Sequence, residues 1–325
     1  MSYYVGIDLG GTNIKAGVVN EKGEIISKNR IKTHAERDQL AIINDMGLLA
    51  IQVIQEAGIK QEDVLAIGIG SPGTPNNKTG VLVYANNLPF SMAPMRTEIR
   101  KLIDLPVYID NDANVAALAE CVAGGSKGSQ DSVAITLGTG VGGGVIINKR
   151  IYSGFNNAGC EIGHIVLKVG GEPCTCGRKG CFESYASATA IIRETERAAQ
   201  AHPESVLHTL IAENGGQADG RTAFEGMRRG DAAASAVVDD YIEMLSEGLA
   251  NVINGYMPEV VVIGGGVCNE GDSLLAPVRE KALAKAYLGQ GVPKPKIRLA
   301  EMGNDAGIVG AAMMASNCLE DGLAG

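Results

Sequence analysis

Tyr3-Tyr4-Val5-Gly6-Ile7-Asp8-Leu9-Gly10-Gly11-Thr12-Asn13-Ile14-Lys15-Ala16-Gly17-Val18-Val19-Asn20 is the stretch on which the fold turns. An apolar run holding one carboxylate near its end, a Gly-Gly-Thr loop and a second apolar run from Ile14 to Asn20 read as strand, tight loop, strand. The turn Asn20-Glu21-Lys22-Gly23 leads into a third strand, Glu24 to Ile31, so the chain opens as an antiparallel meander. Leu40, Ile43, Leu48, Ile51 and Ile54 recur near helical spacing and predict a helix from Asp38 to Ala57 that stops at Gly58. Strands are predicted at Val64 to Gly70, Val81 to Ala85 and Val107 to Asp110, with helices at Met92 to Leu102 and Ala113 to Ala123. The opening stretch then returns 128 residues later, with Ile7 on Ile135, Leu9 on Leu137, Gly10 on Gly138 and Val18-Val19-Asn20 on Ile146-Ile147-Asn148. Two related α/β halves, each offering a glycine loop to a cleft between them, are the expected architecture. Helices follow from Ser187 to Tyr256 and near Ser273 to Leu288, strands at Val260 to Ile263 and Lys296 to Ala300, and a last helix from Ala306 that packs back on the first domain.

At 325 residues, with 45% hydrophobic and 20% charged side chains, the chain is globular rather than disordered or fibrous. Its net charge of −9 repels phosphate backbones and anionic lipid, which argues against nucleic acid or a membrane as main partner. No apolar run approaches the roughly 18 to 20 residues of a membrane helix, and Met1 to Asp8 lacks the basic start of a secretion signal. A cytoplasmic protein is expected. Three of the seven cysteines crowd into Cys174, Cys176 and Cys181, which favours a metal over a disulfide ladder.

Asp8 at a strand end, followed by Gly10, Gly11 and Thr12, sets a carboxylate beside backbone amides with no side chains in the way. Such a loop can hold a phosphate while the carboxylate faces a cation, and Lys15 can add a positive charge; the plainer reading is an ordinary Gly-Gly turn. Leu137-Gly138-Thr139-Gly140 is the second such loop, and Gly264-Gly265-Gly266 after Val260 to Ile263 is a third, at a strand-to-helix switch that can equally be a plain βα turn. No P-loop occurs, and the first loop enters a strand rather than a helix, which argues against a Rossmann site. In Asn111-Asp112-Ala113-Asn114, Asp112 reads as a helix N-cap or as a base that accepts the proton of a hydroxyl attacking a γ-phosphate. Asn111 can hydrogen-bond a sugar. His164, Cys174, Cys176 and Cys181 supply one imidazole and three thiolates, a closed structural zinc set, against a reduced cysteine cluster beside a core histidine. Glu161 and Glu183 flank that set as sugar-binding carboxylates or as surface charges. Gly73 in Pro72-Gly73-Thr74-Pro75, and Asn86-Asn87, lie in polar loops suited to polyols or to simple turns.

Asp8-Leu9-Gly10-Gly11-Thr12-Asn13, Asn111-Asp112-Ala113-Asn114, Leu137 to Gly144, Glu161-Ile162-Gly163-His164 and Cys174 to Glu183 together resemble the signatures of the ROK family of sugar kinases and repressors. The resemblance implies the actin-like ATPase (ribonuclease H-like) fold with its interdomain cleft, ATP with magnesium, and a structural zinc. It implies a small domain of residues 1–112 plus 305–325 and a larger one of 113–304 with the zinc loop. By position Asp112 matches the family's base, with Gly73, Asn86, Asn87, Asn111, Glu161, His164 and Glu183 as sugar contacts. The Asp8 to Lys15 segment, Gly138 to Gly140 and Gly264 to Gly266 match its phosphate and adenosine loops. With only seven residues ahead of Asp8, no helix-turn-helix is expected, which favours an enzyme over a repressor. The likeness is greatest to the branch that phosphorylates the 6-hydroxyl of glucose; another hexose or N-acetylhexosamine is the alternative. Phe90-Ser91 stands where many such kinases carry Trp, a departure that bears on sugar preference. The family implies a homodimer or homotetramer.

Overall fold

Strand β1 (Tyr3–Leu9) forms where the pattern predicts it, and in the computed structural model, which describes residues 2–85 and 88–325, it is buried over most of its length. Hairpin partner β2 (Asn13–Asn20) runs antiparallel to it with Asp8 opposite Lys15, and β3 (Ile25–Lys32) completes the meander. β4 (Val64–Ser71) and β8 (Val107–Asn111) then add in parallel, giving the order β3-β2-β1-β4-β8. Register aligns Asp8 with Gly70, and Gly70 with Asp110, so the carboxyl ends of three parallel strands finish side by side. That edge is where α/β sheets place ligands.

Helix α1 (Gln39–Glu56) covers this sheet and is capped by Asp38, whose carboxylate accepts the Leu40 N–H at 2.8 Å. Its buried seam is Ile42, Ile43, Met46, Leu49, Ala50 and Val53, whereas Leu40 and Leu48, expected inside, are exposed. The seam follows positions three and four apart from Ile42, and each large side chain buried along it contributes about 1.5–3 kcal/mol. A small sheet of β5 (Thr74–Asn76), β6 (Val81–Tyr84) and β7 (Ser91–Ala93) corrects the helix expected from Met92. Ser91 pairs with Tyr84 and Ala93 with Leu82, and α2 (Met95–Leu102) begins only after Pro94. Proline is well tolerated at a helix start, which fits this later entry.

The chain divides by its contacts into two compact units, residues 1–134, 144–160 and 300–325 in one, and 135–143 and 161–299 in the other. Within the first, α10 (Ala306–Glu320) packs on β1, β4 and α3 (Asp112–Ala123), as expected for the last helix. The approach is backbone to backbone: a Cβ on Gly6 would sit 1.8 Å from Ile308 O, and one on Gly310 1.7 Å from Val115 O. This packing puts α3 in the first unit, whereas the sequence division assigns residues from 113 onward to the larger domain. The hairpin of β10 (Val141–Ile147) and β11 (Arg150–Tyr152) also reaches into this unit at Val145 to Tyr152.

In the second unit the strand order is β10-β9-β12-β13, with β9 (Ser132–Leu137), β12 (Val260–Gly264) and β13 (Lys296–Leu299), the last two parallel. Helices α4 (Glu183–Ala186), α5 (Ala188–Ala201), α6 (Leu207–Glu213), α7 (Thr222–Arg228), α8 (Ala232–Tyr256) and α9 (Asp272–Lys285) make up most of the rest. Helix α8 buries Val237, Val238, Tyr241, Leu245, Leu249 and Val252 along one face and forms the spine of the unit.

Candidate active site

The strand-end carboxylates of the first unit are held differently from one another. Asp110 is 2% exposed and accepts the Asn111 N–H at 2.7 Å, Asn114 Nδ2 at 2.8 Å and Asn77 Nδ2 at 2.9 Å. Burial raises its pKa while these donors oppose the rise. It ties β8 to α3 and to the loop after β5. Asp110 escaped sequence reading because a carboxylate inside an apolar strand carries no motif; its only signal was Asn114 four residues on.

Asn111 takes the N-cap role that was open for Asp112: its Oδ1 accepts the Ala113 N–H at 2.9 Å, and its Nδ2 donates to Gly73 O at 3.1 Å. Among the described residues that leaves one amide hydrogen of Asn111 without a partner. Gly73 has φ +95°, and a Cβ there would lie 2.0 Å from Tyr84 O, so only glycine fits. Asn86 and Asn87 lie outside the described residues.

Asp112 is thus the first residue of α3 and not its cap. It is exposed, and among the described residues its side chain accepts one hydrogen bond, from the Ala113 N–H at 2.8 Å. The protein around it strips enough hydration to push the carboxyl above its ordinary value; the Asp8 charge adds to the rise and the Ala113 N–H opposes it. Asp8 pairs with Lys15 Nζ at 3.0 Å and lies against the start of α10, where a Cβ on Gly307 would come within 2.4 Å of its Cγ. Lys15 also donates to Asn304 O at 3.4 Å. Asp8, Lys15 and Asp112 are therefore one electrostatic group, and beside them the N–H groups of Gly11 and Thr12 make no hydrogen bond among the described residues.

In the second unit the glycine loop is built on backbone. Gly138 N–H closes the turn on Gly140 O at 3.0 Å, and the Thr139 and Gly140 N–H groups make no hydrogen bond among the described residues. Gly265 has φ +107°, and a Cβ there would lie 2.1 Å from Leu137 O, so the Gly264 to Gly266 turn lies directly against the base of this loop. After it comes a short 3-10 helix, Gly266–Glu270, before α9. Glu183 sends Oε2 to the Val141 N–H at 3.1 Å and Oε1 to Thr175 Oγ1 at 3.2 Å. Both its oxygens are engaged, so it touches the glycine loop rather than standing free as a surface charge. Glu161 is exposed and makes no side-chain hydrogen bond among the described residues.

His164, Cys174, Cys176 and Cys181 come together, with one ligand atom of each within 4.8 Å of all the others. Cys174 Sγ lies 3.6 Å from His164 Nδ1, and Cys176 Sγ 3.7 Å from Cys181 Sγ. Tetrahedral zinc with Zn–S bonds of about 2.3 Å sets such ligand edges at about 3.8 Å, so the donor set fits the ion in both chemistry and spacing. Burial pushes the Cys181 thiol up to about 12, and the Arg178 backbone N–H lowers Cys176. A dication among them would ionise the set. With Nδ1 turned to the cysteines, Nε2 of His164 is the edge left for another partner.

No helix among the described residues is long and apolar enough to cross a membrane. The profile of the ROK family matches residues 4–317. A glucokinase of Halalkalibacterium halodurans is 37% identical over 98% of both chains. The ROK hexokinase of Thermus thermophilus superposes with a TM-score of 0.83 at 32% identity, over 98% of this chain and 99% of that one. A ROK family glucokinase from Streptomyces griseus, solved with glucose and AMPPNP, gives 0.77 at 33% identity, over 97% of this chain and all of that one.

Proposed function

Since the chain belongs to the ROK family, with its actin-like ATPase fold, we propose that it transfers the γ-phosphoryl group of ATP to the 6-hydroxyl of a hexose, with glucose as substrate. The observation that carries this reading is Asp112, an exposed carboxylate in the first turn of a helix whose N-cap is Asn111, raised in pKa by desolvation and by the Asp8 charge. A carboxylate so placed can accept the proton of an attacking hydroxyl, and a raised pKa makes it a better base.

In this mechanism the amides of Gly11 and Thr12 in the first unit, and those of Thr139 and Gly140 in the second, all without a partner among the described residues, are donors for phosphate oxygens, and the Gly264 to Gly266 turn is assigned to the adenosine. Asp8, its charge balanced by Lys15, would hold a magnesium ion directly or through water. When bound, magnesium draws off charge that spreads over the transferring group. Asn111, Asp112 and Gly73 of the first unit, and Glu161 and His164 Nε2 of the second, are assigned to the sugar, as are Asn86 and Asn87 from the resemblance of the sequence. Asp112 takes the hydroxyl proton as the oxygen attacks. Glu183, expected to touch sugar, is engaged by its own loops and contributes to sugar binding through them. His164 Nδ1, Cys174, Cys176 and Cys181 would hold a structural zinc that stiffens the loop bearing Glu183. We expect a homodimer or homotetramer working in the cytoplasm, where thiols stay reduced.

A coupled assay for ADP across glucose, mannose, fructose, allose, N-acetylglucosamine and N-acetylmannosamine tests the proposal, with glucose expected to give the highest kcat/KM. Turnover on none of them, with sugar binding retained, would transfer the reading to a sugar-sensing regulator.

A further inference from the structure

Each glycine hairpin is gripped from outside by a threonine. Thr33, fully buried just past β3, donates its hydroxyl to Gly10 O at 2.6 Å and its N–H to Thr12 O at 3.0 Å. Thr189, in the first turn of α5, donates its hydroxyl to Thr139 O at 2.7 Å, while the neighbouring Ala188 N–H reaches Gly138 O at 2.8 Å. The two threonines are not equivalent in the internal repeat, so the second brace is not a copy of the first.

A trans peptide holds its C=O and the N–H of the next residue on opposite sides. Pinning Gly10 O and Thr12 O therefore aims the N–H groups of Gly11 and Asn13 away from Thr33. Pinning Gly138 O and Thr139 O likewise aims those of Thr139 and Gly140 away from α5. Three of these amides, those of Gly11, Thr139 and Gly140, have no partner among the described residues. A glycine loop left alone would sample many peptide orientations, and amides fixed in advance bind an anion at lower entropic cost.

We propose that Thr33 and Thr189 are positioning residues for the nucleotide phosphates, acting through the peptide planes of the two loops. The proposal rests on the kinase reading above and adds residues that bind neither sugar nor nucleotide themselves. Thr33→Val and Thr189→Val keep shape and remove the hydroxyl; Thr33→Ser and Thr189→Ser keep it. Calorimetry with Mg-ADP, KM for ATP, KM for glucose and Tm are compared for each. Each valine variant is expected to weaken Mg-ADP binding and raise KM for ATP about tenfold, the scale of one hydrogen bond, with glucose KM unmoved and the serine variants near wild type. Valine variants with wild-type nucleotide affinity would overturn it. So would a nucleotide defect that the serine variants share. A wild type that binds Mg-ADP but phosphorylates no hexose defeats the kinase reading while leaving the calorimetric test of the braces in force.

Discussion

The two glycine hairpins share a backbone plan and differ in what surrounds it. Asp8 of the first corresponds to Thr136 in the second, and Lys15 to Gly143. Each loop has a threonine brace, but beside the first stand an ion pair and a raised carboxylate, whereas beside the second stands the engaged Glu183. The repeated element is thus a way of exposing amides, and the charged chemistry is confined to one copy. A substitution of the charged groups beside the first hairpin should alter the chemical step, whereas one in the threonine brace of either hairpin, or beside the second, should alter nucleotide binding.

The largest expected effect is that of Asp112→Asn, which removes the base and keeps the shape: turnover should fall by about 10² to 10⁴ with glucose KM little changed, read in the coupled assay. The raised pKa means that the ionised carboxylate costs stability at neutral pH, so the same variant should melt no lower than wild type by calorimetry. Next comes Cys176→Ala, which should lose the metal, measured by elemental analysis, lower Tm by roughly 5 °C or more and weaken glucose binding. Retention of about one zinc per chain in that variant would remove Cys176 from the ligand set.

A smaller effect contrasts two glycines of one loop. A Cβ on Gly140 would lie 2.2 Å from Glu183 Oε2, whereas one on Gly138 meets nothing within 4 Å. Gly140→Ala should raise KM for ATP about tenfold and lower Tm, and Gly138→Ala should leave Tm unchanged; equal melting of the two would dissolve the contrast. The smallest is a shift in pH dependence. Asp112 accepts a proton only when ionised, and its pKa lies above the ordinary carboxylate value of about 3.9, so kcat/KM should fall on acidification through a pH above that value. Asp8→Asn removes a neighbouring negative charge, and the acid limb should move to lower pH whatever the loss in overall rate.

Strands and loops were legible where local pattern decides them: the opening meander, the strand-end Asp8 and the metal-ligand spacing all follow from neighbours in sequence. The α1 seam was misread because Leu40 and Leu48 satisfy helical spacing as well as the residues that are buried, and only the packed sheet chooses between them. The helix expected from Met92 was wrong because the pairing of Ser91 and Ala93 with β6 is a non-local contact. In the site, types of residue were legible and their engagement was not. That Asn111 caps α3, that Asp110 is saturated with donors and that Glu183 is held by two loops depend on atoms brought together by folding. Thr33 and Thr189 belong to no motif at all.

Product analysis tests the central claim most directly. Purified protein incubated with ATP, magnesium and glucose should, by phosphorus NMR, convert ATP to ADP and an equal amount of glucose 6-phosphate, and Asp112→Asn should do so at a small fraction of the rate. Release of inorganic phosphate in place of a sugar phosphate, or phosphorylation at another hydroxyl, would contradict the account.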